Sequence, residues 1–260
     1  MSSEHEIEYT EGFMDVMEMV WGDGFLSPGG KEEIALFLDG LDINGKDVLD
    51  IGSGCGGCDV VLVKDYGAGS VLGIDIEQPL MNRSIARAER EGLSDRISYK
   101  LVEPGPFPLA DESFDVVFSK DAMIHIEDKH ALFADVYRVL RPGGVFVASD
   151  WTRRDENDPG PEMQGWLDAV GLTFGMHSMP FYIDALEKAG FQDVSTRDRN
   201  DFLVDVLTAD YQIFTDSGRS ELEKRAGGDA EYYITMWGAA KAAAEVGELR
   251  PAHMRGFKPS

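Results

Sequence analysis

Three acidic residues stand at the ends of short apolar runs in the first half of the chain. The first opens a glycine-rich turn, Asp50-Ile51-Gly52-Ser53-Gly54-Cys55-Gly56-Gly57. Gly52 and Gly54 let the backbone fold sharply and leave bare main chain against which a ligand can lie. Gly52, Gly54 and Gly57 also satisfy the dinucleotide pattern G-x-G-x-x-G, so a nicotinamide enzyme is an alternative at this point. Asp50 argues against it, because a carboxylate beside the turn repels a pyrophosphate and attracts an ammonium. Asp75, closing Gly73-Ile74-Asp75, stands where an acid accepts both hydroxyls of a ribose at the carboxyl edge of a sheet. Glu103 follows the next apolar run, within reach of an adenine amino group. Ammonium, ribose and adenine without phosphate are the parts of S-adenosylmethionine, which becomes S-adenosylhomocysteine on losing its methyl.

His125 adds a group that accepts a proton near neutral pH. Cys55 and Cys58, the only cysteines, form a C-x-x-C pair near a helix start, which leaves thiol redox chemistry as a further alternative. With no matching His or Cys pair they would half fill a tetrahedral shell, so no metal is expected.

The elements that must position these residues form an α/β alternation. Runs with strand character cover Val48–Ile51, Val71–Ile76, Ile97–Val102, Phe114–Ser119 and Val145–Ser149, with helical patterns at Pro79–Glu91 and Lys129–Leu140 between them. Arg141-Pro142-Gly143-Gly144 reads as a turn. Such alternation predicts a doubly wound parallel sheet with right-handed crossovers. Beyond it come a loop at Arg153–Pro161, a helix near Pro180–Lys188 and a strand near Asp193–Thr196. Two helices follow between Phe202 and Val246, divided at Gly227-Gly228, and Leu249–Phe257 is expected as an edge strand. A single domain over 1–260 is expected, with residues 1–30 as an N-terminal lid and 151–180 and 201–247 as a small helical cap on the substrate side.

Asp and Glu number 48 against 24 Lys and Arg, a formal charge of −24. That charge repels a phosphate backbone, so nucleic acid is not expected as a partner. No stretch approaches the roughly 20 apolar residues that span a bilayer, no signal-peptide core is seen, and a cytoplasmic protein acting on a small-molecule acceptor is expected.

Five stretches carry a resemblance: Tyr9-Thr10-Glu11-Gly12, Phe25-Leu26-Ser27-Pro28-Gly29-Gly30, the Asp50 turn, Gly73-Ile74-Asp75, and Ser119-Lys120-Asp121-Ala122-Met123-Ile124-His125. With these the sequence resembles the class I methyltransferases, and within them the phosphoethanolamine N-methyltransferases, from Tyr9 to Phe257. The resemblance implies a Rossmann-like doubly wound seven-stranded sheet and transfer of a methyl group to the amine nitrogen of a small molecule. It implies that Tyr9 and His125 form a catalytic pair and that Leu26 and Ser27 cover the cofactor. Asp50, Gly52, Gly54, Asp75, Ile76, Glu103, Pro104 and Ser119 would hold it, with Asp121 beside the reacting amine. The family's phosphate grip is not matched: Leu172 stands in place of its arginine, and Phe174 and Trp151 in place of two tyrosines. Trp151 and Phe174 are expected as substrate-pocket walls, where aromatic faces attract a methylated ammonium. The acceptor is then phosphoethanolamine-like or glycine-, sarcosine- or dimethylglycine-like, with oxygen, sulfur or carbon of another small metabolite as the alternative.

Overall fold

The computed structural model describes residues 9–260, so the first eight residues of the expected 1–30 lid lie outside the described residues. Helices α1 (Glu11–Trp21) and α2 (Gly30–Phe37) lead into the alternation: β1 (Asp47–Ile51), α3 (Gly57–Lys64), β2 (Ser70–Asp75), α4 (Gln78–Arg90), β3 (Ile97–Leu101), β4 (Phe114–Lys120), α5 (Lys129–Val139) and β5 (Leu140–Arg153). Then come α6 (Pro161–Val170), α7 (Met179–Ala189), β6 (Gln192–Asp198), α8 (Asn200–Thr215), α9 (Arg219–Arg225), α10 (Ala230–Glu245) and β7 (Leu249–Phe257).

The sheet has seven strands in the order β3-β2-β1-β4-β5-β7-β6. The first five are parallel and β7 runs antiparallel to both of its neighbours. The expected seven-stranded α/β sheet is therefore the observed one. Alternate residues of each central strand bury on opposite faces. Val48, Val71, Val116 and Val147 pack with Ile34, Val61 and Val63 on the α2 and α3 side, and Leu49, Ile74, Val117 and Phe146 pack with Phe133, Val136 and Leu186 on the other. Strands covered on both faces read as continuous apolar runs, which is why they were legible. A third cluster of Trp166, Leu203, Leu207, Phe214 and Trp237 forms the helical layer beyond the strand ends, and Val16 and Met17 of α1 belong to it.

Several boundaries differ from the sequence reading. Leu249–Phe257 is not an edge strand: β7 inserts between β5 and β6, pairing along its full length with β5, and leaves β6 on the edge. The segment Arg141–Gly144 is drawn into β5 rather than ending as a free turn. Its turn character survives as Gly143 at φ 78° and as a register shift opposite Phe114 and Val116. The region 202–246 holds three helices, because a break after Thr215 separates α8 from the short α9 before the expected break at Gly227-Gly228.

Candidate active site

In this strand order the direction of the sheet's winding reverses between β1 and β4, and the crevice at their carboxyl ends is where open α/β sheets bind ligands. A cavity of about 780 Å³ occupies it, running from Tyr9 and His125 past the glycine turn and Asp75 to Val102–Phe107.

The glycine turn is shaped by close approaches. Gly52 has φ 72°, and a Cβ there would lie 2.2 Å from the Cβ of Ala122. Gly57 donates its N–H to the Gly24 carbonyl at 3.1 Å, backbone against backbone, and a Cβ at Gly57 would lie 2.5 Å from that oxygen. The loop after α1 and the turn can touch only because both lack side chains. Gly52 and Ser53 donate to the Ile74 carbonyl at 2.9 and 3.1 Å, which fixes the turn to the end of β2.

Asp75 lines the cavity, and its carboxylate braces the same corner. Oδ2 accepts from Gly54 N at 3.0 Å, and Oδ1 accepts from Ile76 N at 2.8 Å and Glu77 N at 3.0 Å. Burial pushes its pKa up while these N–H donors pull it down, and the net direction is up. Leu26, Ser27, Gly52, Gly54, Ile76, Glu103, Pro104, Asp121, Tyr9 and His125 line the same cavity.

Four of the site residues named from sequence do not. Asp50, at the end of β1, is buried behind the turn against Asp59 in the first turn of α3, and Asp50 Oδ1 and both Asp59 oxygens have no hydrogen-bond partner among the described residues. Burial, with Asp59 beside it, pushes the Asp50 carboxyl well above the usual range, which disfavours a negative charge at this position. Ser119 is turned into the sheet, donating to the Ile51 carbonyl at 2.8 Å. Trp151 stacks on Trp166 and Trp166 on Phe174, with ring centroids 5.9 and 5.3 Å apart, and Phe174 meets the His125 ring edge-on at 5.5 Å. Trp151 and Phe174 thus stand behind His125, outside the main cavity. Phe174 lines a smaller neighbouring hollow of about 300 Å³, together with Leu172, Leu167, Met163 and Arg153.

Tyr9 and His125 are brought together from 116 positions apart, with Tyr9 Oη 3.1 Å from His125 Nε2. Burial, and then the positive charge of Lys129, presses the imidazole down to about 4, so it is unprotonated at neutral pH and has a lone pair to offer. Asp121 takes φ 57°, a left-handed conformation that Asp tolerates better than bulky residues, and its carboxylate accepts from Ser149 Oγ at 2.7 Å and from Lys120 Nζ at 2.8 Å. Sequence reasoning missed Lys120. Its ammonium also reaches Ser27 Oγ at 2.6 Å and the Pro28 carbonyl at 2.8 Å, tying the loop over the cavity to the end of β4. Arg87 was missed as well, and its Nε bonds the Cys55 carbonyl of the glycine turn at 2.7 Å. Neither has a sequence signal, since a lysine after a strand and an arginine in a helix are ordinary surface residues until packing buries them. Cys55 and Cys58 are both free, and Cys55 packs 3.8 Å from the Met14 sulfur.

Residues 49–148 match the methyltransferase domain family. Phosphoethanolamine N-methyltransferase 1 of Triticum aestivum is 32% identical over 234 residues, covering 90% of this chain and 46% of that protein, so the chain spans about half its length. Among solved structures, phosphoethanolamine N-methyltransferase 2 of Haemonchus contortus, in complex with phosphomonomethylethanolamine and S-adenosylhomocysteine, superposes with a TM-score of 0.88 at 22% identity over 97% of this chain and 59% of that one. A candidate sarcosine dimethylglycine methyltransferase of Galdieria sulphuraria superposes with a TM-score of 0.70 at 26% identity, covering 88% of this chain and 83% of that one. Residues 49–148 therefore match a methyltransferase domain, and the chain is similar to phosphoethanolamine N-methyltransferases over most of its own length.

Proposed function

We propose that the chain is an S-adenosylmethionine-dependent methyltransferase that methylates the amine nitrogen of a small molecule. The observation that carries this reading is one continuous cavity with a ribose-type carboxylate, Asp75, and bare glycine backbone along its length and a proton-accepting pair, Tyr9 and His125, at one end. The residues fit the cofactor. Asp75 would accept the ribose hydroxyls, Gly52 and Gly54 would face the amino-acid part, Leu26 and Ser27 would cover it, and Glu103 and Pro104 would flank the adenine. When bound it supplies a methyl group already activated on a sulfonium. Asp50 acts on the turn from behind rather than by touching a ligand.

The protein's own task is alignment and proton removal. An amine that arrives as an ammonium has no lone pair until it loses a proton. His125, held neutral, takes that proton directly or through the Tyr9 hydroxyl. Asp121 lines the same cavity, with its carboxylate held beside the acceptor by Ser149 and Lys120. Residues 9–30, the described part of the 1–30 lid, close over the site, and 151–180 with 201–247 form a cap, which together keep water from the reacting atoms.

A dianionic phosphate needs several charge-assisted donors, and Leu172, Phe174 and Trp151 provide none. Arg153 lines the neighbouring hollow and not the cavity that holds Tyr9 and His125. The unmatched phosphate grip therefore favours a glycine-, sarcosine- or dimethylglycine-like acceptor over phosphoethanolamine. The test is S-adenosylhomocysteine formation across phosphoethanolamine, its methylated forms, the glycine series, and simple thiols and phenols. Turnover confined to thiols or phenols would overturn the nitrogen assignment, and turnover of phosphoethanolamine alone would overturn the preference for a carboxylate.

A further inference from the structure

Lys129 is only 1% exposed, although lysine is almost never fully buried without partners. Its Nζ donates to the Met123 carbonyl at 2.8 Å and to the Ile126 carbonyl, at the two ends of the turn that carries His125. Asp150, fully buried on β5, takes hold of the same turn from the sheet side. Its Oδ1 accepts from Ile124 N at 3.0 Å and its Oδ2 from Tyr182 Oη at 2.7 Å. An ammonium and a carboxyl group, the latter pushed by burial up to about 7, cost desolvation in such a place that apolar side chains of similar volume would avoid. The turn they fix contributes the proton acceptor of the site.

We propose that Lys129, supported by Asp150, is a positioning residue for His125: its ammonium clamps both ends of the turn, so that the imidazole is held against Tyr9 as the proton acceptor. The inference rests on the functional reading above and extends it to residues that touch neither ligand. Other titratable groups around the ring come from each element packed there: Tyr9 ahead of α1, Lys120 and Asp121 at the end of β4, Glu127 and Asp128 at the start of α5, and Asp150 on β5. The segment after α6 brings Thr173 and Phe174, which carry no charge. Lys120 and Asp121 neutralise each other at 2.8 Å, and Asp128 caps α5 through Ala131 N at 2.9 Å. The Lys129 charge bears on the ring in the direction that, with burial, disfavours protonation.

The test compares the whole chain with its Lys129→Met variant by NMR titration of the histidine rings, with the His125 signal assigned by its loss in His125→Ala. The expected result is that His125 takes up its proton at a higher pH in Lys129→Met. An unchanged titration would overturn the proposal. Should Lys129→Met fail to fold, Lys129→Gln keeps a donor for the carbonyls without the charge, and the same outcomes apply. In turnover, Lys129→Met should lower kcat by about tenfold or more, leave cofactor affinity within about twofold, and move the acidic limb of the pH profile upward. Unaltered kcat with an unmoved limb would overturn the positioning role. The titration needs no methyl transfer. A shifted His125 in a protein that turns over no acceptor would sink the functional reading and leave the electrostatic relation standing, and an unshifted one in an active enzyme would do the reverse.

Discussion

Tyr9 and His125 meet across one cavity, but the two segments that carry them are held by different forces. On the Tyr9 side, α1 and the loop behind it are strapped to α4 by ion pairs. Arg83 reaches Asp15 at 2.7 Å and Glu18 at 2.8 Å and also pairs with Glu11, Arg87 reaches Glu18 at 2.7 Å and Asp23 at 2.6 Å, and Arg90 reaches Asp23 at 2.6 Å. The outer acids of this strap are in solvent, with Glu11 72% and Asp23 67% exposed, while Glu18 at its centre is 14% exposed. On the His125 side, the turn hangs on buried hydrogen bonds to Asp150 and Lys129 and on the backbone bond from Asp121 N to the Ser149 carbonyl at 2.7 Å. Exposed pairs contribute about 0–1 kcal/mol each and are screened by salt, whereas losing one partner of a buried network costs about 3–5 kcal/mol. The difference suits a wall that opens to admit ligands facing a floor that must not move.

The contrast can be broken in order of expected effect. His125→Ala should lower turnover by at least about a hundredfold while cofactor affinity stays nearly intact. Steady-state kinetics with calorimetric binding would check this, and equal loss of both would mean that the floor serves binding rather than proton transfer. Asp75→Ala removes three backbone contacts together with the proposed ribose contact. It should weaken S-adenosylmethionine by about tenfold or more, measured by calorimetry, and an unchanged Kd would remove Asp75 from the cofactor site. Raising ionic strength from about 0.05 M to about 0.5 M should weaken cofactor binding severalfold in the parent protein and much less in Arg83→Met. Equal salt dependence in the two would show that the strap does not govern closure.

The smallest effect concerns stability. Glu33 of α2 is buried, which by itself raises its pKa. His253 Nε2 at 2.7 Å and Arg199 Nε at 3.0 Å outweigh that and bring it from 4.5 to about 2. The folded chain keeps Glu33 ionised where the unfolded chain protonates it, so the unfolded state binds more protons in that window. The contribution is complete above about pH 4.5 and is lost as pH falls toward 2. Urea unfolding at pH 6, 4 and 3 should show a steeper loss in the parent than in Glu33→Gln, and parallel loss would refute the assignment.

The legible parts of the site were those whose signal is local. Asp75 and Glu103 were found because a residue ending an apolar run has a defined place at the sheet edge, and Gly52 because a tight turn restricts residue type. Asp50 carried the same kind of signal and still lies behind the turn, because pleat alternation puts it on the α3 side of β1 with Val48, beside Asp59. Trp151 and Phe174 were recognised as aromatic and near the site, yet their stacking through Trp166 put them behind His125.

The sequence by itself determined the succession of strands and helices, the glycine turn, and the acids at the strand ends, since periodicity, backbone freedom and strand termination are properties of neighbouring residues. Tertiary structure decided that β7 would lie inside the sheet, that Tyr9 would reach His125, and that Lys129 and Asp150 would be buried beneath it. Those facts depend on surfaces distant in the chain packing together, and the desolvation and pairing that give such residues their roles exist only once that packing has formed.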